Sequence, residues 1–108
     1  MPKHILFLCS RNKLRSPTAE ALFTNHPCIE VDSAGLSHDA EVVVEEENIA
    51  WADVIMVMEK IHRTRLTRKF GKILAGKRIV VLDIPDVYEY MDPALVALLK
   101  KRCSTYFS

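Results

Sequence analysis

Apolar positions along this chain follow two rhythms. Short continuous runs stand at His4–Leu8, Asp53–Met58 and Ile79–Leu82, each too brief for a stable helix. Runs of this length suit parallel strands buried on both faces. Cys28–Asp32 alternates instead, with Ile29 and Val31 on one side, as a half-exposed edge strand does. Between the runs the spacing changes to that of helices. Ala19, Leu22 and Phe23 share one face of a first helix, and Ser16-Pro17 supplies an N-cap and a first-turn proline. Asn25-His26-Pro27 ends it, and Ser33-Ala34-Gly35 is expected to break the second strand. Within Ala40–Ala52, Val42–Val44 prefers a strand and Glu45–Ala52 a helix; a short helix is the expectation. Lys60–Phe70 is a helix with His62, Leu66 and Phe70 inward, closed by Gly71. Asp92-Pro93 opens a last helix that turns Leu95, Leu98 and Leu99 inward and ends in Lys100, Lys101 and Arg102, as the helix dipole favours.

The order β-α-β-(α)-β-α-β-α predicts an α/β sandwich of three layers, one domain over residues 1–108, with a mostly parallel sheet covered on both faces. Ligands of such sheets sit beyond the carboxyl ends of the strands. Cys9, Ser33, Glu59 and the loop after Leu82 all fall at such ends.

Composition narrows the function classes. A net charge of +1 over 108 residues does not by itself point to nucleic acid or membrane. No stretch has the ~18 apolar residues of a membrane span, and Ile5–Leu8 is too short for a secretory signal. Three cysteines, Cys9, Cys28 and Cys103, show no paired spacing. That favours free thiols and a cytoplasmic setting over a disulfide framework.

The chemistry concentrates between the first strand and first helix. Cys9 and Arg15 frame Ser10, Arg11, Asn12, Lys13 and Leu14, and Ser16 follows. Five intervening residues let the backbone curl around a tetrahedral oxyanion with successive N–H groups inward. The helix start adds its positive end. Arg15 can grip two oxygens as a bidentate fork, which lysine cannot copy. The same positive surroundings favour the sulfur of Cys9 in its charged, nucleophilic form. Ser16 is placed to give that sulfur a hydrogen bond.

"ILFLCSRNKLRSPTAEALF" resembles the N-terminal signature of the low-molecular-weight protein tyrosine phosphatases. "VDSAG" (31–35), "ADVIMVMEKIHRTRL" (52–66) and "IPDVYEY" (84–90) resemble later blocks of that family. The resemblance implies a four-stranded sheet of order 2-1-3-4 and a metal-free, cofactor-free phosphatase acting on aryl phosphates. Cys9 would attack phosphorus, and Arg15 would hold the equatorial oxygens. Asp86 would protonate the leaving oxygen. Asn12, at positive φ, would tie the loop together with support from Ser33, and Tyr88 would wall the pocket. Inorganic phosphate, sulfate or vanadate would occupy the loop, and a phosphotyrosine protein or small aryl phosphate would be the substrate. The chain departs from the family pattern where Arg11 replaces a common glycine and Leu14 a common second cysteine. It departs again in its short 36–51 segment and in Asp86-Val87-Tyr88, where the family usually has Asp-Pro-Tyr.

Other assignments stay open at this level. Asp83 is an alternative acid, whereas Asp92 reads as an N-cap. Cys28 and Cys103 have no spacing suited to arsenate reduction, which is the less favoured activity. His26-x-Cys28 is a poor metal signature. Trp51, Met56 and Met58 read as packing. From Lys60 to Arg78 there are eight lysines and arginines and no acidic residue. A solvated helix face is the simplest account, and a phosphate- or RNA-binding module with little turnover is the rival function. No aromatic ladder accompanies the basic run, so sequence-specific RNA reading is not expected.

Overall fold

A computed structural model describes residues 2–107. Its strands are β1 (Lys3–Cys9), β2 (Ile29–Gly35), β3 (Val54–Val57) and β4 (Arg78–Val81), and its α-helices are α1 (Arg15–Phe23), α2 (Glu46–Trp51), α3 (Lys60–Phe70) and α4 (Pro93–Cys103). All strand pairs are parallel, in the order β2-β1-β3-β4. The expected sheet and its order are observed.

Strand alternation sorts side chains into two cores. Ile5, Phe7, Met56, Val80 and Leu82 pack on one face with Ala19 and Phe23 of α1 and Leu95, Leu99 and Cys103 of α4. Leu6, Leu8, Ile55 and Val57 pack on the other with Ile49 of α2 and Leu66 of α3. Nearly all these side chains are solvent-free. Burying each contributes about 1.5–3 kcal/mol before conformational entropy is subtracted. Met56 and Met58 are core residues as expected, and Trp51 is half-buried, stacked on His4 at 4.5 Å.

Two local expectations need correction, and a third is borne out with narrower bounds. Ser33-Ala34-Gly35 does not break β2; these residues are its last three and pair with Phe7, Leu8 and Cys9. Small residues are needed there because a Cβ on Gly35 would lie 2.7 Å from the Ser10 carbonyl oxygen and 2.5 Å from Ala40 Cβ. Ser16 is not an N-cap. Helix α1 begins at Arg15, two residues earlier than expected, after Leu14 and without a side-chain cap. Its first amides therefore remain uncommitted, which is how a helix start receives an anion. The helix expected within Ala40–Ala52 is confined to Glu46–Trp51, closed at its start by a Glu45–Asn48 capping box. Val42–Val44 instead folds back on Gly35, with Gly35 N–H donating to Val42 O at 2.7 Å and Val44 N–H donating to Gly35 O at 2.9 Å. Gly71, at φ 40°, ends α3, and Asp92 caps α4 through Ala94 N–H, both as expected.

Candidate active site

Sheet order 2-1-3-4 puts its reversal between β1 and β3, so the loops leaving those strands face each other across a crevice. The crevice holds a cavity of about 270 Å³ lined by Cys9, Ser10, Arg11, Lys13, Leu14, Arg15 and Asp86. That is just below the range for drug-sized ligands.

Beneath the cavity a hydrogen-bond chain fixes the loop. Asn12 is buried at φ 57°, a conformation asparagine tolerates better than most residues. Its side-chain amide donates to Ser16 Oγ at 3.0 Å and to Ser33 Oγ at 2.9 Å. Ser33 in turn donates to the Glu20 carboxylate. Asn12 N–H points at Cys9 Sγ at 3.2 Å, and Ser16 Oγ lies 3.0 Å from the same sulfur. The directions follow from bond capacity. Glu20 as a carboxylate only accepts, so Ser33 gives it the hydroxyl proton and accepts from Asn12. Ser16 also accepts from Asn12, and its own proton is directed at sulfur. The chain thus delivers two donors to Cys9.

Arg15 is buried, with its side chain 3% exposed. Nη1 donates to Glu59 Oε2 at 2.6 Å and to the Ile84 carbonyl at 2.7 Å. Nε lies 3.7 Å from Asp86 Oδ1, beyond a hydrogen bond. One edge of the guanidinium is therefore anchored while Nε and Nη2 keep a fork of donors. Arg11 and Lys13 stand at the rim, 3.4 Å from Asp39 and 4.0 Å from Glu41, in exposed pairs of little energetic weight.

His62, read from sequence as an inward residue of α3, is also part of this site. It is fully buried; Glu59 N–H donates to its Nδ1 at 3.1 Å, and its Nε2 lies 3.1 Å from Ser10 Oγ. Burial, reinforced by the Arg15 guanidinium, pushes its pKa down to about 4, against the opposing pull of Glu59. The neutral ring must accept at Nδ1, so the proton is on Nε2 and is donated to Ser10.

The structure thus brings Cys9, Ser10, Arg11, Lys13, Leu14, Arg15 and Asp86 to one cavity, with Asn12, Ser16 and Ser33 beneath it. Asp83 faces a different hollow with Glu59, Lys60, Ile61 and Pro85. Tyr88 is not among the lining residues; it is half-buried and packs against the α1–α4 core. Cys28 is exposed and Cys103 buried, neither at the cavity, and burial pushes the Cys103 thiol up to about 12. Among the described residues no cluster of three or more His, Cys, Asp or Glu side chains could hold a metal. Sequence reasoning missed Glu20 and Arg65. The only sequence signal for Glu20 was its place one helical turn after Ser16.

The parallel α/β sheet therefore ends its first strand in a buried cysteine beside a buried arginine, over one cavity at the carboxyl ends of the strands. Residues 4–50 match the sequence model of the low molecular weight phosphotyrosine protein phosphatases. The protein-arginine-phosphatase of Geobacillus stearothermophilus is 33% identical over 94 aligned residues, covering 65% of this chain and 64% of that relative. The match therefore spans less than two thirds of the relative's length. Among solved structures, Vibrio vulnificus Wzb with benzylphosphonate is similar over 98% of this chain and 97% of its own, at TM-score 0.78 and 22% identity. The YwlE arginine phosphatase of G. stearothermophilus is similar over 95% and 87%, at TM-score 0.73 and 24% identity. At these identities the structural likenesses establish the fold. The N-terminal part of the chain, residues 4–50, is thus similar to the low molecular weight phosphotyrosine protein phosphatases, and the whole fold is the one those solved structures share.

Proposed function

We propose that this chain is a phosphomonoesterase that hydrolyses aryl phosphates through a cysteinyl-phosphate. Cys9 Sγ attacks phosphorus as the bond to the leaving oxygen breaks, and Asp86 gives that oxygen its proton. Water then attacks the phosphocysteine; Asp86 takes the proton, phosphate departs and the sulfur leaves as thiolate, supported by Ser16. Arg15 holds the equatorial oxygens through Nε and Nη2, while the loop amides of residues 10–15 complete the cradle. The observation that carries this reading is the directed chain Glu20–Ser33–Asn12–Ser16–Cys9, which aims two donors at one sulfur beside an anchored guanidinium.

The match of residues 4–50 to the low molecular weight phosphotyrosine protein phosphatase model supports phosphate-ester chemistry. The chain's relatives include a protein-arginine-phosphatase and a Wzb tyrosine phosphatase from Escherichia coli K30 with bound phosphate. Aryl substrates are favoured here over phosphoarginine because Arg11 and Lys13 stand at the mouth, where a guanidinium leaving group would meet like charge. Three free cysteines support a reducing, cytoplasmic setting, and among the described residues no helix is long and apolar enough to cross a membrane.

The test is hydrolysis of p-nitrophenyl phosphate and of phosphotyrosine and phosphoarginine peptides by wild type, Cys9→Ser and Asp86→Asn. Turnover should vanish in Cys9→Ser and fall about 10²-fold or more in Asp86→Asn. A wild type that turns over none of these, yet whose Cys9 is shielded from iodoacetamide by phosphate, would instead be a binding module.

A further inference from the structure

Arg65 of α3 is half-buried beside the phosphate loop. Its Nη1 donates to Ser10 Oγ at 3.2 Å and its Nη2 to Ser37 Oγ at 3.3 Å. Among the described residues no carboxylate oxygen lies within 4.0 Å of it, whereas Arg11, Lys13 and Arg15 all have one. A partly desolvated guanidinium satisfied only by neutral hydroxyls retains its attraction for an anion.

The two serines add directed protons. Ser10 Oγ receives hydrogen bonds from His62 Nε2 and from Arg65, so both its lone pairs are used and its own O–H can only donate. Ser10 lines the cavity. Ser37 is tied to the same loop through its N–H, which donates to the Ser10 carbonyl at 2.9 Å, and its Oγ accepts from Arg65. One cation and two hydroxyl donors therefore stand together beside the cradle assigned to the scissile phosphate. A cluster of this kind, which meets the cavity at Ser10, does not suit an uncharged ring edge and does suit a second oxyanion.

We propose that Arg65, Ser10 and Ser37 form a second anion subsite, taking a carboxylate or second phosphate carried by the substrate next to its scissile phosphate. This rests on the phosphatase reading above and adds the substrate class: acidic or multiply phosphorylated peptides. Arg65 and the two serines bind and orient; they take no part in bond making.

The experiment compares three phosphotyrosine peptides of equal length, with neutral flanks, with flanking aspartates, or with a second phosphotyrosine. Each is measured for kcat/KM with wild type, Arg65→Gln, Ser37→Ala and, as a control for diffuse charge, Arg63→Gln on the same helix. Binding of the same peptides to Cys9→Ser protein by fluorescence anisotropy supplies a readout independent of turnover. Wild type should favour the anionic peptides over the neutral one about tenfold, chiefly through KM. Which of the two is preferred separates a carboxylate site from a phosphate site. Arg65→Gln should bring the ratio close to one and Ser37→Ala should lower it partly, while Arg63→Gln leaves it unchanged. Equal loss in Arg63→Gln and Arg65→Gln would reduce the preference to general charge, and a wild-type ratio near one would overturn the subsite. Absence of turnover with the anisotropy preference retained would overturn the phosphatase reading and keep the subsite.

Discussion

Protonation of His62 offers a quantitative check on the site's architecture. The ring is fully buried, its Nδ1 is occupied by the Glu59 N–H, and the Arg15 guanidinium is close enough to disfavour a second cation. Its pKa is therefore pushed down from 6.5 to about 4. Between those values the unfolded chain binds a proton at this position and the folded chain does not. Stability consequently falls as pH is lowered from about 6.5 to about 4, and the loss is complete once the folded form also protonates. At 1.36 kcal/mol per unit, the window corresponds to about 3 kcal/mol, a large part of a typical domain's 5–15. Carboxylates contribute their own slope in the lower half of this range, so the informative quantity is a difference between proteins. Urea denaturation of wild type and His62→Gln should be run from pH 7.5 to 4.5. Glutamine keeps an acceptor for Glu59 and a donor for Ser10 but cannot ionise. The stability gap between the two should shrink or reverse by about 2–3 kcal/mol on acidification. Parallel curves would refute the account of a neutral, Nε2-protonated histidine clamped between α3 and the loop.

Two further predictions probe the loop itself. Gly35→Ala should destabilise the fold by about 1–3 kcal/mol and weaken phosphate protection of Cys9 against iodoacetamide, because its methyl group would displace the Ser10 carbonyl; unchanged protection would show that β2 does not brace the loop. Asn12→Gly loses the hydrogen bonds to Ser16 and Ser33 and should cost about 1–3 kcal/mol, while Asn12→Ala adds about 1 kcal/mol more for its positive φ. Equal midpoints for the glycine and alanine variants in urea would mean the backbone conformation is not strained.

What could be read from the sequence followed burial. The apolar runs placed β1, β3 and β4 to within a residue or two, because a strand buried on both faces has no polar position to blur it. Cys9 and Arg15 were visible because their spacing and their place between strand and helix are local facts. Ser33-Ala34-Gly35 was misread because small residues signal a turn and a tight strand-to-loop approach alike, and only the Ser10 carbonyl distinguishes them. Glu20 and Arg65 were missed for a different reason. Each lies on a helix whose pattern accounts for it as a surface residue, and its partner is remote: Ser33 for Glu20, Ser10 and Ser37 for Arg65. The basic run Lys60–Arg78 likewise resolves only in three dimensions. Lys77 donates to the Ala50 and Ala52 carbonyls at the end of α2, Arg78 lies 5.0 Å from the Tyr106 ring, and Arg65 turns to the loop.

The pairing of Arg15 with Glu59 connects these observations. A guanidinium buried without a partner is costly, yet a carboxylate on its ligand-facing edge would compete with the phosphate. Glu59 and the Ile84 carbonyl both take Nη1 and leave the other edge uncommitted. Asp86, 3.7 Å from Nε and largely exposed, leaves the fork unheld, as the proposed mechanism requires of its acid. This division requires the ends of β1, β3 and β4 to lie side by side, since Arg15 follows the first, Glu59 the second and Ile84–Asp86 the third. A sheet that placed β2 between β1 and β3 would keep every one of these residues and lose the site. The order 2-1-3-4 is therefore as much a part of the proposed chemistry as the cysteine it positions.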